Sequence, residues 1–235
     1  MKEQSAETAR EVARLPFDDR RVAGRSLAAA LRRRFAAPDG RLTLERPVVL
    51  ALPRGGVAVA FEVARDLGVP LDVLVTRKIG HPDQPELGVG ALAEGGAPVY
   101  DDGMLREFGL KKEDLADVVA RERAELARRV EVYRDGKPPP DVRGRSVILV
   151  DDGLATGVTA RAALRALRAA RPARTLLAVP VGSPGSAAAL SAEADDVVAL
   201  ALPRGFRAVG EWYASFGQLT DDDVLRLLRC AAEPC

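Results

Sequence analysis

Two adjacent carboxylates, Asp151 and Asp152, directly follow the apolar run Val147–Val150 and precede the segment Gly153-Leu-Ala-Thr-Gly-Val-Thr159. Ionised carboxylates accept hydrogen bonds from hydroxyl groups, and a hard divalent cation relieves their mutual repulsion. Residues Ala155, Thr156, Gly157, Val158 and Thr159 form a short loop that runs into a helical pattern. In such a loop several backbone N–H groups converge on one anion, helped by the helix N-terminus, and the two threonine hydroxyls add donors. A phosphate held there leaves its sugar beside the acidic pair. The chemistry implied is recognition of a phosphorylated sugar. The alternative is a solvated acidic turn in which Thr159 caps a helix. The Gly-Lys-Ser/Thr ending of a triphosphate loop is absent, as are the spaced glycines of a dinucleotide fingerprint.

A second set of residues suits an anionic leaving group. Leu52-Pro-Arg-Gly-Gly-Val57 closes another apolar run. Arg54 offers a planar fork for phosphate oxygens, and Gly55 and Gly56 let a ligand approach the backbone closely. Arg77 and Lys78 end the next expected strand and would stabilise negative charge as it develops. Both groups also read as solvated cations. His81, the single histidine, sits in the loop Gly80–Gly88, which is placed to close over a sugar or to remain surface. Within that loop Glu86, and less so Asp83, would orient a substrate or a cation. Trp212 and Tyr213 either stack on a planar base or pack against the core. Phe216 reads as core.

These residues need a scaffold. Arg20 to Phe35 has helical spacing, and Pro38-Asp39-Gly40 ends it. Val48 to Leu52 is a continuous apolar run, as in a strand covered on both faces. The spacing then predicts a helix over 57–67, a strand over 71–76, short strands between 87 and 100, and a charged helix over 112–132. Lys137-Pro-Pro-Pro140 is a stiff linker. Strands over 147–150, 175–181 and 197–202 alternate with helices over 158–170 and 185–191. Thr220 and Asp223 read as a capping box for a last helix through Arg229. Strand–helix–strand units with short connections build a mostly parallel, twisted α/β sheet flanked by helices. The expected organisation is one domain over 17–229, an N-terminal arm over 1–16, and a C-terminal element over 203–229 packed on the same domain.

The chain has 235 residues, with 35 Lys+Arg balanced by 34 Asp+Glu, which leaves no basic footprint for nucleic acid or an acidic membrane. No apolar stretch reaches membrane-spanning length, and the charged opening residues do not read as a signal peptide. Cys230 and Cys235 are too few and too late for a disulfide framework, and they read as incidental. The cytoplasm is the expected location.

The string from Val147 to Thr159 resembles the signature of the type I phosphoribosyltransferases. Phe17–Gly24, Leu52–Gly56, Arg77–Gly80 and Ala208–Tyr213 are similar to a bacterial branch of that family whose acceptors are unassigned. The resemblance implies a type I fold with a small appended hood. It implies a Mg²⁺-dependent transferase that uses 5-phosphoribosyl 1-pyrophosphate, releases pyrophosphate and acts on a nucleobase or related nitrogen nucleophile. By the same resemblance Asp151 and Asp152 meet the ribose hydroxyls and hold the metal directly or through water. Residues 155–159 hold the 5-phosphate, while Arg54, Arg77 and Lys78 serve the pyrophosphate. A non-proline cis peptide is expected at Arg54–Gly55. Gly153 departs from the apolar residue usual after the acidic pair. Ala155 stands where hypoxanthine/guanine-type members carry an aspartate near purine N7, so their purine mechanism does not transfer. A homodimer is expected from resemblance, with the 112–132 helix either covering the sheet or joining a contact. The alternative function is a non-catalytic or regulatory protein that binds 5-phosphoribosyl 1-pyrophosphate or a nucleotide. A more distant reading has water replace the acceptor.

Overall fold

The computed structural model describes residues 15–232; the expected arm at 1–16 lies outside them apart from Leu15 and Pro16. Five parallel strands form the central sheet: β1 (Val48–Ala51), β2 (Leu71–Val73), β6 (Ser146–Val150), β7 (Arg174–Val181) and β8 (Asp196–Ala201), in the order β2-β1-β6-β7-β8. All of β1 and all of β6 are buried. That is the pattern of continuous apolar runs in a sheet covered on both faces.

Alternate strand residues feed two cores. Val49, Ala51, Ile148, Val150, Leu176 and Ala178 face α1 (Arg20–Phe35) and α2 (Gly55–Leu67). Val48, Leu50, Val147, Leu149, Leu177 and Val179 face α5 (Val158–Ala169) and α6 (Pro184–Leu190). A fully buried Val, Leu or Ile side chain among them stabilises by about 1.5–3 kcal/mol. Asp19 caps α1 by accepting from the Val22 N–H at 2.8 Å. The two helices pack closely because residue 24 has no side chain: a β-carbon on Gly24 would lie 2.7 Å from the Val59 carbonyl oxygen.

A smaller antiparallel sheet follows in the order β3-β4-β5, from β3 (Thr76–Gly80), β4 (Gly88–Ala93) and β5 (Val99–Tyr100). The chain then forms α3 (Asp102–Glu107), a 3₁₀ turn at Lys112–Leu115, and α4 (Ala116–Arg134). Ala91, Ala93 and Val99 of this hood pack on Val158 and Ala162 of α5. Ile79 and Leu92 share the main core with Leu115, Val118 and Leu126 of the α4 segment. The apolar stripe of that charged helix thus covers the hood sheet of its own chain.

Three expectations are corrected. The strand expected over 71–76 ends at Val73, and the chain starts a new strand in the other sheet at Thr76. A continuous apolar run does not reveal where it changes partner. Arg77 and Lys78 therefore lie inside a hood strand, opposite Leu92 and Ala91, and do not end a core strand. Cys230 takes part in a disulfide and is not incidental; Cys235 lies outside the described residues.

The C-terminal segment closes the fold over the sheet. A 3₁₀ turn at Val209–Trp212 leads to Tyr213, and α7 (Asp221–Ala232) packs on α2 and α4. The Thr220–Asp223 capping box forms as read, with Thr220 Oγ1 accepting from Asp223 N–H and the Asp223 carboxylate accepting from Thr220 N–H.

Candidate functional site

The strand order supplies the location. From β1 the chain crosses through α2 to β2 on one side; from β6 it crosses through α5 to β7 on the other. β1 and β6 are neighbours, so the loops that leave their C-terminal ends diverge. Open parallel sheets bind ligands in the crevice at such a reversal. A cavity of about 670 Å³ lies there.

Asp151, Asp152, Gly153, Leu154, Ala155, Thr156, Gly157 and Thr159 line it from β6, and Arg54 and Gly55 line it from β1. Thr76, Arg77, Lys78 and Glu86 line it from the hood, together with Arg121, Glu122 and Arg129 of α4. Val209 and Phe216 line it from the C-terminal segment. Residues far apart in the chain thus converge on one crevice. Gly56, Val158, His81 and Trp212 are not among the lining residues.

The acidic pair sits against the start of α2, and there the two glycines make room for it. A β-carbon on Gly55 would lie 1.9 Å from Asp152 Oδ2, and one on Gly56 would lie 2.9 Å from the Val150 carbonyl oxygen. The glycines admit the end of β6 and its carboxylates to the helix N-terminus, where negative charge is favoured. Asp151 Oδ1 also accepts from the Asp152 N–H at 2.8 Å. Burial, then the adjacent Asp152 charge, hold the Asp151 carboxyl well above the ordinary range, and Lys78 opposes the shift. The non-proline cis bond precedes Arg54 instead of following it, at Pro53–Arg54. The motif residues alone do not distinguish the two neighbouring bonds.

On the other loop Gly157 takes φ +76° as the residue before α5, a left-handed conformation that glycine adopts without steric penalty. Thr156 is exposed and Thr159 half-buried, both bordering the cavity. Val158 turns the other way and is buried against the hood. The departure at Gly153 has a packing reason: a β-carbon there would lie 2.4 Å from Val209 Cγ1.

The cations are graded by their partners. Arg77 is held by Glu122 of α4, with Nη2 to Oε2 at 2.7 Å. Arg54 lies 3.9 Å from Asp221, which also accepts from the Tyr133 hydroxyl at 2.6 Å. Lys78 is exposed toward the cavity. His81 stacks edge-on against Phe108, with centroids 5.5 Å apart, and its Nδ1 accepts from Asp83 N–H. It stands outside the crevice, whereas Glu86 of the same loop reaches it.

Trp212 packs against the cluster of Phe17, Ala23, Val181 and Tyr213. Phe216, expected in the core, is 36 % exposed. It borders the cavity and carries the Arg20 guanidinium 3.8 Å from its ring centroid. Sequence reasoning missed Arg20, Glu122, Arg129 and Asp221. Arg20 lies within the Phe17–Gly24 string, which was the one available signal for it.

A family model described as the phosphoribosyl transferase domain matches residues 23–203. The chain belongs to that family. It is 46 % identical over 212 residues to a Mycobacterium tuberculosis H37Rv protein provisionally named a phosphoribosyl transferase, Rv0571c. The alignment covers 90 % of this chain but 46 % of that protein, so the chain spans about half the length of the curated relatives it matches. The crystal structure of TT1426 from Thermus thermophilus is 48 % identical, with a TM-score of 0.71, over 90 % of this chain and 97 % of that one. For this phosphoribosyltransferase-family fold, the hood is the three-stranded sheet with α4 and α5 on either side. Arg20, Tyr213, Phe216 and Asp221 fall outside the span matched by the family model.

Proposed function

We propose that the chain is a Mg²⁺-dependent phosphoribosyltransferase that takes 5-phosphoribosyl 1-pyrophosphate and a nitrogen nucleophile of the nucleobase type. The observation that carries this reading is the convergence of the Asp151–Thr159 and Pro53–Gly55 loops with Lys78 on one crevice at the strand-order reversal. A phosphate at 155–159 leaves the ribose beside Asp151 and Asp152, and the pyrophosphate toward Arg54 and Lys78.

The acidic pair suits magnesium. No group of three or more metal-binding side chains occurs among the described residues. Magnesium is commonly held by one or two carboxylates, with waters and substrate phosphates completing its shell. Asp151 and Asp152 would hold it, and when bound it neutralises charge on the pyrophosphate oxygens. The remaining chemistry falls to the chain. As the C1–O bond breaks, its electron pair leaves with pyrophosphate, and Arg54 and Lys78 stabilise that charge. The acceptor nitrogen donates its lone pair to C1, and its proton passes to the released pyrophosphate. The hood and the C-terminal segment shield the electron-poor sugar from water. Retention of both Arg54 and Lys78 in the crevice favours turnover over a purely regulatory binding role.

The test is calorimetric titration with 5-phosphoribosyl 1-pyrophosphate, with and without Mg²⁺, on wild type and on Asp151→Asn/Asp152→Asn. Saturable binding to wild type that the double variant loses supports the site, and release of pyrophosphate on adding a base then identifies the acceptor. A folded wild-type protein that binds nothing sinks the proposal.

A further inference from the structure

Arg20 opens α1, outside the span matched by the family model, yet it touches the acidic pair of the crevice. Its Nε donates to Asp152 Oδ2 at 2.7 Å, and its Nη1 donates to the Gly217 carbonyl oxygen at 2.7 Å. The guanidinium carbon lies 3.8 Å from the centre of the Phe216 ring. The side chain is 11 % exposed and that of Asp152 is 16 % exposed, so water screens the pair weakly. Two hydrogen bonds in different directions and a contact with the ring fix the fork in a way that a flexible ammonium does not reproduce.

The consequence concerns the two oxygens of Asp152. Oδ2 is enclosed between Arg20 and the Gly55 backbone. The bond from Arg20 goes to Oδ2 and not to Oδ1. Tyr213 secures the same residue from the main chain, its hydroxyl donating to the Asp152 carbonyl oxygen at 2.5 Å.

Resting on the reading of the acidic pair as the ribose site, we propose that Arg20 is the positioning residue for Asp152. It holds one carboxylate oxygen and leaves the other for a sugar hydroxyl. It also keeps the carboxylate in one rotamer beside its acidic neighbour. Through Gly217 and Phe216 the same side chain ties the C-terminal segment to the acidic loop.

The test separates sugar recognition from phosphate recognition without the metal. Ribose 5-phosphate and inorganic phosphate are titrated, in the presence of a chelator, into wild type, Arg20→Ala and Arg20→Lys. Wild type is expected to prefer ribose 5-phosphate. Arg20→Ala is expected to weaken ribose 5-phosphate binding roughly tenfold while leaving phosphate binding within about twofold. Arg20→Lys keeps the charge and serves if the alanine variant does not fold. It is expected to lose roughly threefold for the sugar phosphate alone, because it lacks the planar fork. Unchanged sugar-phosphate binding in the variants, or an equal loss for both ligands, overturns the inference and leaves the ribose reading standing. A wild type with no preference for the sugar phosphate sinks the ribose reading itself, before any variant is compared.

Discussion

Asp152 Oδ2 occupies the space that a β-carbon on Gly55 would fill, at 1.9 Å. The end of β6 and the start of α2 therefore interlock through an atom that residue 55 lacks. Gly55→Ala cannot be absorbed by a small shift, because Arg20 Nε lies 3.1 Å from the same point. The carboxylate must leave its pocket or α2 must withdraw. We expect Gly55→Ala to lower affinity for 5-phosphoribosyl 1-pyrophosphate by roughly tenfold or more, with a stability loss of about 1–3 kcal/mol. Calorimetric titration and urea unfolding read the two effects. Wild-type values for both would show that the interlock is dispensable.

Gly153 makes a similar contact with the C-terminal segment, its missing β-carbon falling 2.4 Å from Val209 Cγ1 and 3.1 Å from Val209 Cβ. Gly153→Ala should push the Val209–Trp212 turn away from the acidic loop and break the Tyr213 bond to the Asp152 carbonyl. Tyr213→Phe removes that bond without the clash. Burial pushes the Tyr213 hydroxyl far above the ordinary phenol range, so it stays a donor at any working pH. The expected order of turnover is wild type, then Tyr213→Phe, then Gly153→Ala. An assay of pyrophosphate release checks it, and a Gly153→Ala enzyme as active as wild type contradicts the packing argument.

Arg134 ties the hood to the central sheet. Its side chain is 5 % exposed; it donates to Glu94 at 2.8 and 2.9 Å, to Asp72 at 3.1 Å and to the Val73 carbonyl oxygen at 3.0 Å. Burial outweighs the attraction of Arg134 at Asp72, whose carboxyl remains above its ordinary value. Arg134→Ala leaves these acceptors half-buried without a cation and should destabilise by about 3 kcal/mol. Arg134→Met combined with Asp72→Leu should recover part of that loss. Denaturant titration of the three proteins checks the order.

Acid should loosen the C-terminal helix early. Hydrogen bonds from the Thr220 backbone and hydroxyl, then from Arg226, lower the Asp223 carboxyl from 3.8 to about 2. Arg128 and Arg129 likewise lower Glu125 of α4 to about 2, and Arg128 also lies 3.6 Å from Asp221. A carboxyl lowered by folding stabilises above its unfolded value, and that contribution disappears as pH falls through the folded one. Amide exchange at the start of α7 should therefore quicken between about pH 4 and pH 2, and Asp223→Asn should exchange fast throughout. Protection unaffected by pH in that window contradicts the cap.

Glu122 is expected to set Arg77. It reaches β3 from α4 at 2.7 Å, which keeps the guanidinium at the cavity wall without leaving its charge unpaired. Glu122→Gln should free Arg77 and alter pyrophosphate affinity by roughly two- to fivefold while leaving inorganic phosphate binding at 155–159 unchanged. Identical pyrophosphate binding in both proteins would reduce the pair to a structural tie.

Local chemistry was legible because it is local. The apolar run ending at Val150 and the Thr220–Asp223 box depend on residues close in the chain and formed as read, and the run read over 48–52 forms a strand that stops one residue earlier, at Ala51. The 155–159 loop likewise leads into a helix, at Val158. Type and spacing were sufficient to identify the family and the two loops that meet at the crevice. Contacts across the chain were not legible in the same way. Arg20 reaches Asp152 across 132 positions, and nothing in either segment alone names the other. The run from Leu71 to Thr76 splits between two sheets, with β2 ending at Val73 and β3 starting at Thr76. Phe216 looked like core and lies at the crevice because the C-terminal segment crosses over the sheet and does not enter it. The sequence by itself determined strands, caps and the chemical character of the loops, since those follow from near-neighbour sterics and hydrophobic period. Only the tertiary structure decided which loops face each other, which cations are already paired, and which glycines admit a carboxylate, since those follow from strand order and the packing of distant helices.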